Sequence, residues 1–288
     1  GHTLGLSHDG QTSGVEYYTG QGNWAPIMGV GYDRPIVQWS KGEYNLANNT
    51  EDDLTRMLSF GAINRPDDYG DNTASARPLA GVRPFLWGII GSRTDADYFS
   101  FEAGAGRTTI TASPAPRGPN LHLQLSLYDG NGGLIVATNI ADNATTGVLP
   151  VSISLILPLG NYYVSVEGIG SGNPLSTGYS DYASLGQYTL LVTLPSDGAW
   201  AATAGGTYSW TDSANWSSGT FPLGWSGIAR VNNDISGDQS ITIDAPVTIG
   251  RLLLGDANST HAFTLQASGA GGLRFGTTNG SAGIAKFS

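Results

Sequence analysis

Apolar and polar residues alternate singly along much of this chain, in short runs cut by Gly, Pro, Asn and Asp. "DADYFSFEAG", "RTTITASP", "LHLQLSLYDGNGGLIVATN", "SISLILPLGNYYVSVEG" and "GQYTLLVTL" follow one another between residues 95 and 194. A period of two sends alternate side chains to one face, so each run predicts a half-buried strand. Asp129-Gly130-Asn131-Gly132-Gly133, between two such runs, predicts a hairpin turn. No helical period longer than a turn interrupts 79–194, and an antiparallel, jelly-roll-like β-sandwich is the expected form. "GVLPVSISLILPLG" (147–160) is too short for a membrane span and is broken by Pro150, Ser152, Ser154 and Pro158, so it is expected as a buried strand.

The flanks carry different patterns. In "NNTEDDLTRMLSFG", Thr50 offers an N-cap, Glu51, Asp52 and Asp53 suit a helix N-terminus, and Leu54, Met57 and Leu58 form one stripe that Gly61 ends. "NRPDDYGDNTASARP" (64–78) is polar and Pro-containing, and the interval 62–78 reads as a linker. Beyond residue 198, Trp200, Trp210, Trp216 and Trp225 precede short apolar runs such as "SITIDAPVTIGRLLLGD" and "AFTLQASG". Short strands with Gly, Asn and Asp corners at near-regular intervals predict the start of a β-solenoid over 198–288. Its tryptophans would either cap the solenoid core or present a platform for carbohydrate.

Composition narrows the functional classes. Lys and Arg number 13 against 23 Asp and Glu, a net charge of −10, with no basic cluster to grip nucleic acid. Cysteine is absent, which excludes a thiol protease, and no G-x-S-x-G occurs. A low-charge, Gly-rich, cysteine-free β-protein fits the style of bacterial exported proteins, so an extracellular or cell-surface location is expected. No transmembrane segment is expected in this chain.

The chemistry concentrates in the first ten residues, "GHTLGLSHDG". His2-x-x-Gly5-x-x-His8 would let a helix carry His2, turn at Gly5 in a conformation glycine adopts cheaply, and return His8 to the same point. Neutral imidazoles suit Zn²⁺, whose catalytic sites take three protein ligands and a water. "HTLGLSHD" resembles the second half of the metzincin signature H-E-x-x-H-x-x-G-x-x-H. His2, Gly5 and His8 fall on its second His, its Gly and its third His. Met28 in "WAPIMGVGYDRP" falls where that family places the Met-turn beneath the metal, and the 50–61 helix falls where the catalytic domain closes. Val30 occupies the position at which some branches carry a zinc-binding Tyr, and the subfamily stays open. Asp9 is either a group that orients a ligand histidine or the helix turn, or a plain turn residue before Gly10.

The resemblance implies that 1–61 is the C-terminal piece of an α+β catalytic domain, within a chain that is mainly β. It implies zinc held by His2 and His8, with the first His and the catalytic Glu preceding Gly1. This chain alone is then expected to bind zinc weakly or not at all and not to hydrolyse its protein or peptide substrate. "DADYFSFEAGAG", "LHLQLSLYDGNGG" and "LPLGNYYVSVEG" resemble the bacterial pre-peptidase C-terminal domain. That family includes modules that bind calcium or insoluble protein, and Asp71, Asn72, Asp95 and Asp97 supply oxygens of the type calcium takes; the same residues also serve as turns and caps. "YSWTDSANWSSGTFP" and "VTIGRLLLGD" resemble the β-strand repeat of autotransporter passengers. The leading expectation is a secreted or cell-surface zinc endopeptidase. Its rival is a non-catalytic adhesive β-protein that makes surface or matrix contact through the β-modules and keeps a degenerate peptidase remnant.

Overall fold

In the computed structural model the alternating runs pair as two antiparallel sheets. The structure describes residues 1–80, 84–103, 106–141, 143, 147–158, 160–194, 197–219, 221–224, 227–276 and 281–286. Strand accounts for 42% of residues and helix for 5%, which makes the class mainly β.

The N-terminal segment holds two short parallel strands, β1 (Trp24–Pro26) and β2 (Ile36–Gln38), and one helix, α1 (Asp53–Ser59). The sandwich contains β3 (Arg77–Pro78), β4 (Phe85–Ile90), β5 (Ala96–Ala103), β6 (Gly106–Pro114), β7 (Leu123–Asp129), β8 (Leu134–Asn139), β9 (Val151–Leu157), β10 (Gly160–Gly168) and β11 (Gly186–Thr193). One sheet runs β3-β5-β10-β7-β8 and the other β4-β11-β6-β9. Along β5, Asp97, Phe99, Phe101 and Ala103 point inward and are buried. They meet Leu123, Leu125, Leu127, Val164, Val166, Tyr188, Leu190 and Val192 in one core. Each large apolar side chain buried there contributes about 1.5–3 kcal/mol. The Asp129 turn joins β7 to β8 as expected: its carboxylate accepts from the amides of Asn131 (2.8 Å) and Gly133 (2.9 Å).

Three expectations change. The helix starts at Asp53, and its N-cap is Asp52, which accepts from the amide of Thr55; Thr50 does not cap it. Asp52 is favoured because Tyr182 Oη donates to its carboxylate (2.8 Å) and accepts from the Leu54 amide (2.9 Å), a tertiary contact invisible to local spacing. The stretch around β9 is an edge strand with Ser152, Ser154 and Ile156 exposed; it is half-buried, because it follows the period of two throughout. The polar interval 62–78 is built into the sandwich: β3 pairs with β5, and the Tyr69 ring packs on Phe99 at 4.8 Å.

The N-terminal segment shares a core with the sandwich. Tyr18, Trp24, Ile36 and Tyr44 pack with Val148 and Tyr179. Gln21 Nε2 donates to the carbonyls of Pro174 and Gly178, and Asn120 bonds β2 on both sides, accepting from the Val37 amide and from Gln38 Nε2.

Beyond residue 198 the strands among the described residues pair in parallel, with one isolated antiparallel bridge between Trp200 and Trp216. Gly198–Ala199, Ile228–Val231, Arg251–Leu254 and Gly283–Lys286 form one ladder. Gly206–Ser209, Gln239–Ile243 and Phe263–Ala267 form a second, and Pro246–Ile249 with Gly272–Phe275 a third. Trp200, Trp210 and Trp216 are buried in the core between the ladders, so none of them is a carbohydrate platform. Trp225 lies outside the described residues. Among the described residues no helix is long and apolar enough to cross a membrane.

Candidate metal centres

Among the described residues, a histidine pair and a carboxylate cluster bring metal-competent donors together, and they are built differently. The first comes from one tight turn. Gly5 ends the short helical turn His2–Leu4 with φ 77° and ψ 12°, a left-handed conformation that costs a non-glycine residue about 1–2 kcal/mol. A Cβ there would also lie 2.4 Å from the Phe60 ring. Glycine is thus required by conformation, and any Cβ would also force the half-exposed Phe60 ring to swing aside.

The turn brings His2 Nε2 and His8 Nε2 to 2.9 Å. His2 Nδ1 lies 2.8 Å from the Leu6 carbonyl, which can only accept, so Nδ1 carries hydrogen. His8 Nδ1 faces the Glu16 carboxylate at 3.2 Å. A partner on the second nitrogen fixes the tautomer of a metal-binding histidine and turns the other nitrogen's lone pair toward the metal. Two imidazole nitrogens on a tetrahedral zinc, with Zn–N about 2.0–2.1 Å, sit roughly 3.4 Å apart. The pair therefore fits a zinc after opening by about 0.5 Å.

Met28 lies under this turn. It is buried with Leu6 and Met57, and a Cβ on Gly1 would fall 2.0 Å from its sulfur. The Asp9 amide donates to the Met28 carbonyl at 3.0 Å, which ties the two segments together. Tyr32 is 93% exposed and belongs to no cluster. The Asp9 side chain turns away from the histidines. It accepts from Asn49 at 3.3 Å, and its other oxygen is buried without a hydrogen bond. Burial first, and then the charge of Asp53, push its pKa up to about 7. Asp53, also buried, is pushed up to about 6, although the Ser40 amide donates to it. Asp9 thus anchors the turn from the inside, and its carboxylate makes its hydrogen bond to Asn49 and none to either imidazole. Glu16 and Tyr17, whose ring lies 4.3 Å from that of His8, carry no signal in the sequence beyond proximity.

The second cluster is assembled across the fold. Asp67 and Asp68, in the segment before β3, and Asp97 on β5 bring carboxylate oxygens within 4.8 Å of one another. Asp97 is fully buried; one oxygen accepts from Tyr188 Oη at 2.5 Å and the other has no hydrogen-bond partner. Burial, followed by the charges of Asp95, Asp68 and Asp67, pushes its pKa up to about 8, against the lowering effect of Tyr188. Asp95 stands alongside with one buried, unpartnered oxygen, and it lines with Asp67 and Asp71 a cleft of 140 Å³.

Calcium takes oxygen ligands at about 2.3–2.6 Å, so oxygens across one ion lie up to about 5 Å apart, and the three carboxylates fit it. Of the four residues expected as calcium ligands, Asp97 is in the cluster and Asp95 adjoins it. Asp71 accepts from the Ala96 amide, and Asn72 folds back to accept from the amides of Ala74 and Ser75. Asp67 and Asp68 were missed because they sit in a segment that reads as linker. The other histidines are structural: His122 is buried with Nε2 2.9 Å from the Ile140 carbonyl, and His261 bonds its neighbour Thr260.

No protein-family model matches this chain, and no curated protein matches it. Among solved structures it is similar to the pre-peptidase C-terminal domain of collagenase from Bacillus anthracis, at 16% identity and a TM-score of 0.30, over 46% of this chain and all of the other. It is also similar to PliG, a periplasmic inhibitor of g-type lysozyme, from Aeromonas hydrophila (16% identity, TM-score 0.26, 41% of this chain and 94% of that one). The Salmonella Typhimurium PliG gives 14% identity and a TM-score of 0.25, over 41% and 98%.

Proposed function

We propose that residues 1–61 are the C-terminal part of the catalytic domain of a secreted or cell-surface zinc endopeptidase acting on extracellular protein, followed in this chain by a calcium-stabilised sandwich and the first coils of a β-solenoid. The observation that carries this reading is the 2.9 Å approach of His2 Nε2 and His8 Nε2 across a left-handed Gly5. A zinc bound there supplies Lewis-acid polarisation of the scissile carbonyl and a water that ionises near neutral pH.

His2 and His8 hold it through Nε2. His8 Nε2 donates to His2 Nε2 in the metal-free pair, and a bound zinc would replace that proton, with the Leu6 carbonyl and the Glu16 carboxylate accepting from the Nδ1 atoms and Met28, Leu6 and Met57 forming a dry floor. The metzincin resemblance assigns the remaining ligand and the proton-accepting Glu to residues before Gly1. Asp67, Asp68 and Asp97 would hold the calcium, which would pin the segment before β3 to β5 and offset the repulsion among their charges. The parallel ladders, in which Ile228 pairs with Arg251 and Arg251 with Gly283, support the solenoid reading.

The test is the full-length protein that contains this chain, loaded with zinc; its sequence should place H-E-x immediately before Gly1. Chelator-sensitive cleavage of casein is expected, abolished both when that Glu becomes Gln and in His8→Ala. Zinc-loaded protein without cleavage, or cleavage that survives both changes, would overturn the proposal.

A further inference from the structure

The helix α1 joins two parts of the molecule that are far apart in sequence. With seven residues, Asp53–Ser59, it is about 10 Å long and too short to persist on its own hydrogen bonds. Whatever holds its ends therefore decides where it lies. Its C-terminal half rests on the histidine turn: Arg56 Nε donates to the Gly5 carbonyl at 3.1 Å, and Met57 is buried with Leu6 and Met28.

The N-terminal end is held from the sandwich. Tyr182 lies in the connection 169–185 between β10 and β11 and is buried. Its hydroxyl donates to the Asp52 cap at 2.8 Å and accepts from the Leu54 amide at 2.9 Å. The connection is itself fixed. Ser171 and Tyr179 exchange backbone hydrogen bonds of 2.9 and 2.8 Å, and Gln21 donates to the carbonyls of Pro174 and Gly178. Arg93, in the loop between β4 and β5, reaches Asp181 at 2.5 Å and Glu43 at 3.2 Å, and Lys41 Nζ stands 5.2 Å over the Tyr182 ring. Within the N-terminal segment, the Ser40 amide also donates to Asp53 at 2.8 Å. Loss of the Tyr182 hydroxyl therefore loosens α1 from the sandwich while Ser40 still holds its first turn.

We infer that Tyr182 is a positioning residue of the histidine pair. By fixing the N-terminal end of α1 it sets where Arg56 and Met57 meet the Gly5 turn, and through that turn the 2.9 Å approach of His2 and His8. The sandwich is thereby a structural part of the histidine centre. The inference rests on the zinc reading for its effect on metal affinity alone, because the convergence of the rings is a property of the metal-free chain.

The test reads the imidazoles of the metal-free 288-residue chain by NMR. In wild type a nuclear Overhauser contact should join the ring protons of His2 and His8, whose centroids lie 4.8 Å apart. Tyr182→Phe should lose it, and in the full-length protein the same change should weaken zinc binding about tenfold. Asp52→Asn, which keeps an acceptor for the Tyr182 hydroxyl, should keep the contact, whereas Asp52→Ala should lose it. Val164→Ala leaves a cavity in the sandwich core, which contains no residue of α1; it should lower the melting temperature and keep the rings together. Absence of the contact from wild type, its survival in Tyr182→Phe, or its loss in Val164→Ala would each overturn the inference. Loss of the contact in Tyr182→Phe, with a full-length protein that holds no zinc, would sustain the inference and overturn the zinc reading.

Discussion

The histidine pair and the carboxylate cluster both bring metal-competent atoms together, but one is a product of local chain geometry and the other of tertiary folding. His2, Gly5 and His8 lie within seven residues, and one left-handed glycine converges the rings. Asp67, Asp68 and Asp97 come from segments thirty residues apart in sequence, and they meet because Tyr69 packs on Phe99 and β3 pairs with β5. The lesson is that a site built on a turn keeps its spacing in the sequence. A site built on sheet packing does not, and its members look like ordinary turn residues until the sheet is formed.

Breaking the turn should have the largest effect on that contrast. Gly5→Ala meets both the left-handed penalty and the Phe60 ring at 2.4 Å, so the two Nε2 atoms should separate. A cost of about 3 kcal/mol or more in urea unfolding is expected, with loss of any zinc-dependent shift of the imidazole NMR signals and no change in the calcium response. At the other cluster, calcium at 100 times its dissociation constant should stabilise the protein by about 2.7 kcal/mol. Asp97→Asn should remove this increment in a thermal melt.

The role of Glu16 is sharper still. Glu16→Gln should weaken zinc binding about 10- to 100-fold while leaving the fold unchanged, because the carboxylate is exposed and contacts only His8 among the candidate ligands.

pH separates the clusters in the opposite sense from the usual carboxylate. Asp97, Asp9 and Asp53 have folded pKa values raised to about 8, 7 and 6 from 3.8, so the folded state holds protons that the unfolded state releases. Their contribution to stability is complete below pH 3.8 and is lost as pH rises through 6, 7 and 8 in turn. The calcium-free protein should melt at progressively lower temperature from pH 5 to pH 8. Calcium should help most at the upper end, where Asp97 is ionised. The smallest effect is expected for Tyr182→Phe, which removes two hydrogen bonds at the α1 N-cap, one donated to Asp52 and one accepted from the Leu54 amide, and should cost about 2 kcal/mol.

Much of this was legible in the chain. The period of two from Ala96 to Thr193 gave strands in the right places, and the Asp129-Gly turn marked its hairpin. The His-x-x-Gly-x-x-His spacing marked the histidine convergence because a helix turn and a left-handed glycine are local objects. What was not legible depends on partners distant in sequence. Tyr182 moved the cap of α1 from Thr50 to Asp52, and Tyr69 drew the apparent linker into the sandwich and carried Asp67 and Asp68 with it. Asp9 is polar and sits beside a candidate ligand, yet its side chain faces the interior, and only packing decides that.

The most direct test titrates zinc and calcium separately into wild type, His8→Ala and Asp97→Asn, reading zinc by imidazole NMR and calcium by melting temperature. The expected result is a clean crossing. Zinc should shift the His2 and His8 signals together in wild type and Asp97→Asn, weakly in this chain, and shift neither in His8→Ala. Calcium should raise the melting temperature of wild type and His8→Ala but not of Asp97→Asn. If one substitution abolishes both responses, or neither abolishes either, the two clusters are not the two cation sites described.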